Sequence, residues 1–223
     1  MSNRLLPEGL SIANRMVYLD DQYFPDPNLI SACDACGRLF LQSPHSGQFS
    51  HSLPVVFTDG ACLKNGGDFP QAGYGVAIDN HSQEPCVFSF SGHDERSSRK
   101  AELAGVKKGL ELGIEMMQQG PVANCLTASY DNFVLVTDSE YSVKAITEWL
   151  PRRKANNFRT STGRRPVNET ALREIDTIMN QYEAQGCRIG LLHVNVDADW
   201  LAGQSANRNR GPPMYQGPVG GAM

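Results

Sequence analysis

Residues 132–150 read NFVLVTDSEYSVKAITEWL. From Phe133 to Thr137 the chain is apolar or β-branched, the composition of a strand buried on both faces, and the run stops at Asp138. Tyr141, Ala145 and Trp149 then recur at four-residue steps, the spacing of one helix face. The unit is strand, aspartate, helix.

Upstream, LPVVFTDG (53–60) is a second apolar run, read as a strand that ends at Asp59. GYGVAID (73–79) and CVFSFSG (86–92), separated by the turn-forming NHSQEP, read as two further antiparallel strands. In SSRKAELAGVKKGLELGIEMMQQG (97–120), Leu103, Val106, Leu110, Ile114 and Met117 follow a helical period. Ser97 or Ser98 caps that helix, Gly120 and Pro121 end it, and Glu102 falls in its first turn.

Downstream of the opening stretch, residues 152–166 are basic and polar. Leu172, Ile175, Met179 and Tyr182 then mark a helix closed by Gly186, CRIGLLHV (187–194) a fifth strand, and DADWLAGQSANR (197–208) the start of a terminal helix. The order β-β-β-α-β-α, basic insert, α-β-α predicts an α/β fold. Its mixed five-stranded sheet has three antiparallel meander strands, then parallel strands, with helices on both faces.

A chain of 223 residues accommodates one main domain with short appendages. These are read as an irregular leader (1–52), a domain (53–210) and a disordered Gly/Pro-rich tail (211–223). No run of 18 apolar residues is present, which excludes an apolar membrane-spanning helix. The leader lacks the apolar core of a secretion signal, so an intracellular protein with free thiols at its six cysteines is expected. A monomer is expected as well. The net charge is −4, yet the stretch from Lys144 to Arg165 alone carries +6, so one basic segment sits on an acidic protein.

Asp59, Glu102, Asp138 and Asp199 are all placed at strand ends or helix starts. If the strands carrying Asp59 and Asp138 are adjacent and parallel, the carboxylates gather in one crevice. Each such position taken singly is also what helix capping would produce. Gathered carboxylates repel one another unless cations neutralise them, and hard divalent ions such as Mg²⁺ suit an all-oxygen donor set.

The words VVFTDGAC (55–62), RKAEL (99–103), VLVTDSEYSVKAITEWL (134–150) and NVDADWLA (195–202) occur in that order, and over about residues 53–208 the chain resembles the type 1 ribonuclease H family. The resemblance implies the RNase H-like fold and hydrolysis of the RNA strand of RNA–DNA hybrids, leaving 5′-phosphate ends. Asp59, Glu102, Asp138 and Asp199 would be the catalytic residues, holding two Mg²⁺ ions for which Mn²⁺ can substitute. DGACLKNGG (59–67) matches the turn that tests ribose 2′-hydroxyls in the minor groove, through Asn65 and the backbone at Cys62. Ser98, Arg99 and Ser139 join that nucleic-acid set. The segment from Trp149 to Arg165 resembles the family's basic protrusion, with Arg152, Arg153 and Lys154 for phosphates and Trp149 and Phe158 for sugar packing.

The chain departs from the family pattern in three places. Ser97, Ser98, Arg99 and Lys100 stand where the family has T-N-N-R, Arg153 stands at a tryptophan position, and LLHV runs into NVDADWLA without the usual Gly- and His-containing loop. His193 is read as a packed strand histidine. The alternatives are a weak or inactive nucleic-acid-binding module on this fold, or a DNA-processing nuclease that shares it. In the leader, Cys33, Cys36, His45 and His51 form C-x2-C-x8-H-x5-H, a candidate structural Zn²⁺ set whose spacing is shorter than the usual finger; such cysteine pairs also occur without metal.

Overall fold

The computed structural model describes residues 30–42, 51, 53–63, 71–78, 86–89, 97–119, 125, 132–160 and 162–194. Its strands are β1 (Ile30–Ala32), β2 (Leu39–Leu41), β3 (Val55–Leu63), β4 (Gln71–Ala77), β5 (Cys86–Ser89), β6 (Asn132–Thr137) and β7 (Arg188–His193). Its helices are α1 (Ser98–Gln119), α2 (Glu140–Lys144), α3 (Leu150–Ala155) and α4 (Glu169–Glu183), with a π-helical turn at Ala145–Trp149 between α2 and α3.

Strands β3 to β7 join in the order β5-β4-β3-β6-β7. The β5-β4-β3 meander is antiparallel, while β3-β6 and β6-β7 are parallel. The parallel pairs need crossovers, which α1 and the α2–α4 segment supply. Strand β6 lies between two parallel neighbours, and Phe133 to Val136 are at most 1% exposed. That is why the opening stretch reads as continuously apolar instead of alternating.

On one face of the sheet, Val56, Phe133 and Leu135 pack with Leu103, Val106 and Leu110 of α1 and with Leu172, Ile175 and Met179 of α4. Full burial stabilises by about 1.5–3 kcal/mol per large apolar side chain, so this layer holds the domain together. Helix α1 approaches closely because Ala101, Gly105, Gly109 and Gly113 recur every four residues along its buried side. A Cβ at Gly109 would stand 2.3 Å from Cγ2 of Thr58, and one at Gly113 2.5 Å from the Phe133 ring.

The other face carries Val55, Val134, Val136, Leu192 and Val194, packed with Ile30 and Leu41. Its described cover is therefore part of the leader, which is not wholly irregular as expected. Strands β1 and β2 form an antiparallel hairpin, Phe40 bridges to Pro54, and Leu41 N–H donates to Leu53 O at 2.9 Å. The helix expected from residue 197 and the tail lie outside the described residues.

The end of β3 and the turn that holds Glu102 differ from the sequence reading, while the α1 cap is one of the two serines expected there. Strand β3 continues through Asp59 to Leu63, because β4 pairs with it as far as Leu63↔Gln71, whereas β6 pairs only along Val55–Phe57. Helix α1 is capped by Ser97, whose Oγ accepts from Lys100 N–H at 3.3 Å, which puts Glu102 in the second turn.

Candidate active site

The register of β3 and β6 builds the site. Phe57 lies opposite Val136, so two residues further on Asp59, still within β3, and Asp138, just past the end of β6, lie at the same level. Strand alternation turns Thr58 and Gly60 towards α1, where a Cβ at Gly60 would fall 2.3 Å from the backbone C of Ala101 and N of Glu102. The absent side chain of Gly60 lets α1 lie directly on β3 and brings Glu102 beside the two aspartates.

Asp138 registers the result. Its pKa is raised above the ordinary carboxylate value, first by partial desolvation, then by the neighbouring Asp59 charge and more weakly by Glu102, with His193 acting in the opposite sense. Ser139 supplies the tether. Its Oγ donates to Glu102 Oε2 at 2.6 Å and accepts from Ser142 N–H at 3.1 Å, so one buried hydroxyl caps α2 and fixes the carboxylate on α1. His193 Nε2 stands 3.1 Å from the carbonyl oxygen of Asp138. Since a carbonyl only accepts, the ring donates there and is held in place.

A model of the RNase H family matches residues 52–206. The chain belongs to the RNase H family. Rat ribonuclease H1 is 27% identical over 165 residues, covering 70% of this chain and 51% of that protein. Ribonuclease H of Schizosaccharomyces pombe is 27% identical over 153 residues, covering 69% of this chain and 47% of that protein. The chain thus spans about half the length of these curated relatives. Among solved structures, the PFV RNase H domain is 19% identical with a TM-score of 0.44, over 69% of this chain and 89% of that one.

The remaining residues predicted for this RNase H fold scatter more than the carboxylates. Asp199, Asn65 and His45 lie outside the described residues. Cys62 is half-buried on β3. Ser98 is half-buried in the first turn of α1, and the exposed Arg99 lays its guanidinium over the Tyr141 ring at 4.9 Å. Tyr141 packs edge-on against Trp149 at 5.6 Å, and Arg153 lies 5.5 Å over Trp149, so the four side chains form a continuous stack. Ser139, expected to face nucleic acid, has its hydroxyl engaged by Glu102 and Ser142 inside the protein.

Two protrusion residues depart from their expected role. Phe158 is 9% exposed, its ring joining the core and covered by Arg173 at 3.6 Å, so it does not present a face to a sugar. Lys154 is paired with the buried Asp176 at 2.8 Å and ties α3 to α4. An open cleft of about 480 Å³ is lined instead by Trp149, Arg152, Arg153, Asn156, Arg159 and Thr160. Nη1 of Arg153 is buried and has no hydrogen-bond partner among the described residues. The sequence reading takes Arg159 only as part of the basic segment and does not single out Asn156 and Thr160. The backbone turn at Asn157 and Phe158, both with positive φ, brings Arg159 and Thr160 to the same cleft as Asn156 at the end of α3.

The leader residues do converge. Cys33, Cys36 and His51 meet Cys125, a residue the sequence reading left out, with all four ligand atoms within 4.8 Å of one another. Among the described residues no other such group is that tight.

Proposed function

We propose that this chain is an endoribonuclease that hydrolyses the RNA strand of RNA–DNA hybrids and leaves 5′-phosphate ends. The observation that carries this reading is the level placement of Asp59 and Asp138 on adjacent parallel strands, with Glu102 held against them. Membership of the RNase H family supports it.

The donor set fits a hard divalent cation. It consists of carboxylate oxygens alone, and the Asp138 pKa is raised first by desolvation and then by the charges of Asp59 and Glu102, penalties on its ionised form that a bound cation would offset. Asp59, Glu102 and Asp138, with Asp199, would hold two Mg²⁺ ions, Mn²⁺ substituting. Bound there, the ions would activate an attacking water and stabilise charge on the leaving oxygen. The protein's own residues orient and bind. Ser139 keeps the Glu102 carboxylate in one rotamer, and His193, pinned to the Asp138 carbonyl, is not free to carry protons between sites. Arg152, Arg153 and Arg159 would take phosphates of the duplex, with Trp149 beneath them.

The deciding experiment incubates the purified protein with end-labelled RNA–DNA, RNA–RNA and DNA–DNA duplexes in Mg²⁺, Mn²⁺ or chelator. Cleavage of the hybrid's RNA strand with Mg²⁺ or Mn²⁺, and none with chelator, is expected. A hybrid left intact under all metal conditions overturns the reading.

Two variants probe the parts. Arg152→Ala combined with Arg159→Ala should weaken hybrid binding and reduce the slope of log K against log salt by up to about 2, at about 0.9 per phosphate contact. Lys154→Ala should change that slope less, because its ammonium is already held by Asp176. Titrations at several salt concentrations measure both. Ser139→Ala should cost about 1 kcal/mol of stability through the lost cap. At equal folded fraction it should also slow cleavage about tenfold, the equivalent of ~1.4 kcal/mol for a charge-assisted hydrogen bond.

A further inference from the structure

We propose that Cys33, Cys36, His51 and Cys125 form a structural Zn²⁺ site that staples the N-terminal hairpin to the RNase H fold. The site is built from three separate pieces of chain. Cys33 and Cys36 lie on the tight turn between β1 and β2, where Gly37 N–H donates to Cys33 O at 2.7 Å and Gly37 adopts φ 72°. Backbone groups of Ala35 and Cys36 hydrogen-bond the Cys33 sulfur. A cysteine pair on a glycine-closed turn, with amides aimed at one sulfur, is organised to present both thiolates to one point.

His51 enters from the segment before β3. Its Nε2 stands 3.1 Å from Cys33 Sγ, and the ring is wedged edge-on against Phe40 at 4.7 Å. Cys125, between α1 and β6, brings a buried sulfur to 3.5 Å from Cys33 Sγ across 92 residues of sequence. Four ligands at Zn²⁺ bond lengths of about 2.0–2.3 Å stand roughly 3.3–3.8 Å apart in a tetrahedron. Here His51 and Cys125 lie 3.1 and 3.5 Å from Cys33 Sγ and all four ligand atoms fall within 4.8 Å of one another, so a small inward movement would close the set on an ion. The 3.5 Å sulfur separation is far beyond a disulfide bond of about 2.05 Å.

The donors select the ion. Three thiols and an imidazole suit Zn²⁺ and are foreign to Mg²⁺, which takes oxygen. Four protein ligands complete a tetrahedron and leave no open position, so the role is structural. The placement agrees. His51 and Cys125 precede β3 and β6, whereas Asp59 and Asp138 emerge towards the other end of the same strands, so the cluster is remote from the carboxylates. Two three-residue strands bury too little apolar surface to stay docked alone, and a shared metal would join them to the domain core.

The test uses the full chain purified with reductant and zinc, then dialysed. We expect about one zinc per chain by elemental analysis, and for the Co²⁺-substituted protein the visible bands of a tetrahedral site with thiolate charge transfer. Cys125→Ser should lose this spectrum and the bound zinc, whereas His45→Ala should keep both. Stripping zinc should lower the thermal midpoint by several degrees. The proposal is overturned by wild-type protein holding less than about 0.2 zinc per chain after reconstitution. A six-coordinate cobalt spectrum, or a Cys33–Cys125 disulfide that forms in place of metal, overturns it as well, as does Cys125→Ser with full zinc. The wild-type measurements decide even if a cysteine variant does not fold, and none of the readouts depends on nuclease activity.

Discussion

Asp59→Asn and Asp138→Asn should each reduce cleavage of an RNA–DNA hybrid by at least about 10²–10³-fold, the scale on which loss of one charge-stabilising group slows a reaction. Binding of the hybrid should persist, because the arginines of the cleft lie outside this carboxylate set. Neither substitution should unfold the protein. In chelator, Asp59→Asn should raise the thermal midpoint, since it removes the strongest charge opposing Asp138. The pH dependence has a defined sign. The folded protein holds a proton on Asp138 at pH values where the unfolded chain has released it, so metal-free stability falls as pH rises from the ordinary carboxylate pKa through the raised one. Below that window the contribution is fully present and no longer varies with pH. Asp138→Asn should flatten this segment of the pH–stability curve, and thermal melts across acidic pH in chelator measure it. A variant that cuts hybrid at near wild-type rate in Mg²⁺ would show that the assigned carboxylates are not the catalytic set.

Gly60→Ala should be nearly as damaging to activity, by a different route. The new methyl group would stand 2.3 Å from the backbone C of Ala101 and N of Glu102, and backbone, unlike the end of a flexible side chain, cannot step aside. Helix α1 must then lift away from β3, at a cost of about 1–3 kcal/mol or more. That corresponds to a fall in thermal midpoint of roughly 2–12 °C for a domain of this size. The same shift carries Glu102 away from Asp59 and Asp138, so activity per folded molecule should fall too. Gly75→Ala is the control. It sits opposite Asp59 on β4, its added Cβ meets nothing within 4 Å, and its stability should match or exceed wild type. If Gly60→Ala melts like Gly75→Ala, the close contact between α1 and β3 does not position the site.

From β3 to β7 the order of strands and helices, the gathering of Asp59, Glu102 and Asp138, and the paired cysteines of the leader were legible in the sequence, whereas the leader's hairpin was not. Each is written in local chemistry: an apolar run that ends in aspartate, a helical period, a turn motif. The glycines that let α1 approach the sheet were there to be read as well, as Gly105, Gly109 and Gly113 at four-residue steps after Ala101. What only the tertiary structure decided is which distant residues meet. Cys125 joins the cysteine cluster because packing brings the hairpin to it across 92 residues of sequence. Ser139 faces Glu102 and not solvent because β6 and α1 converge there. Phe158, aromatic in a basic stretch, suits exposure and burial equally well by composition, and the positive-φ turn that it forms with Asn157 sends it into the core. Periodicity records which face of an element is apolar, but the partner of that face depends on the closure of long loops, whose outcome no local pattern encodes.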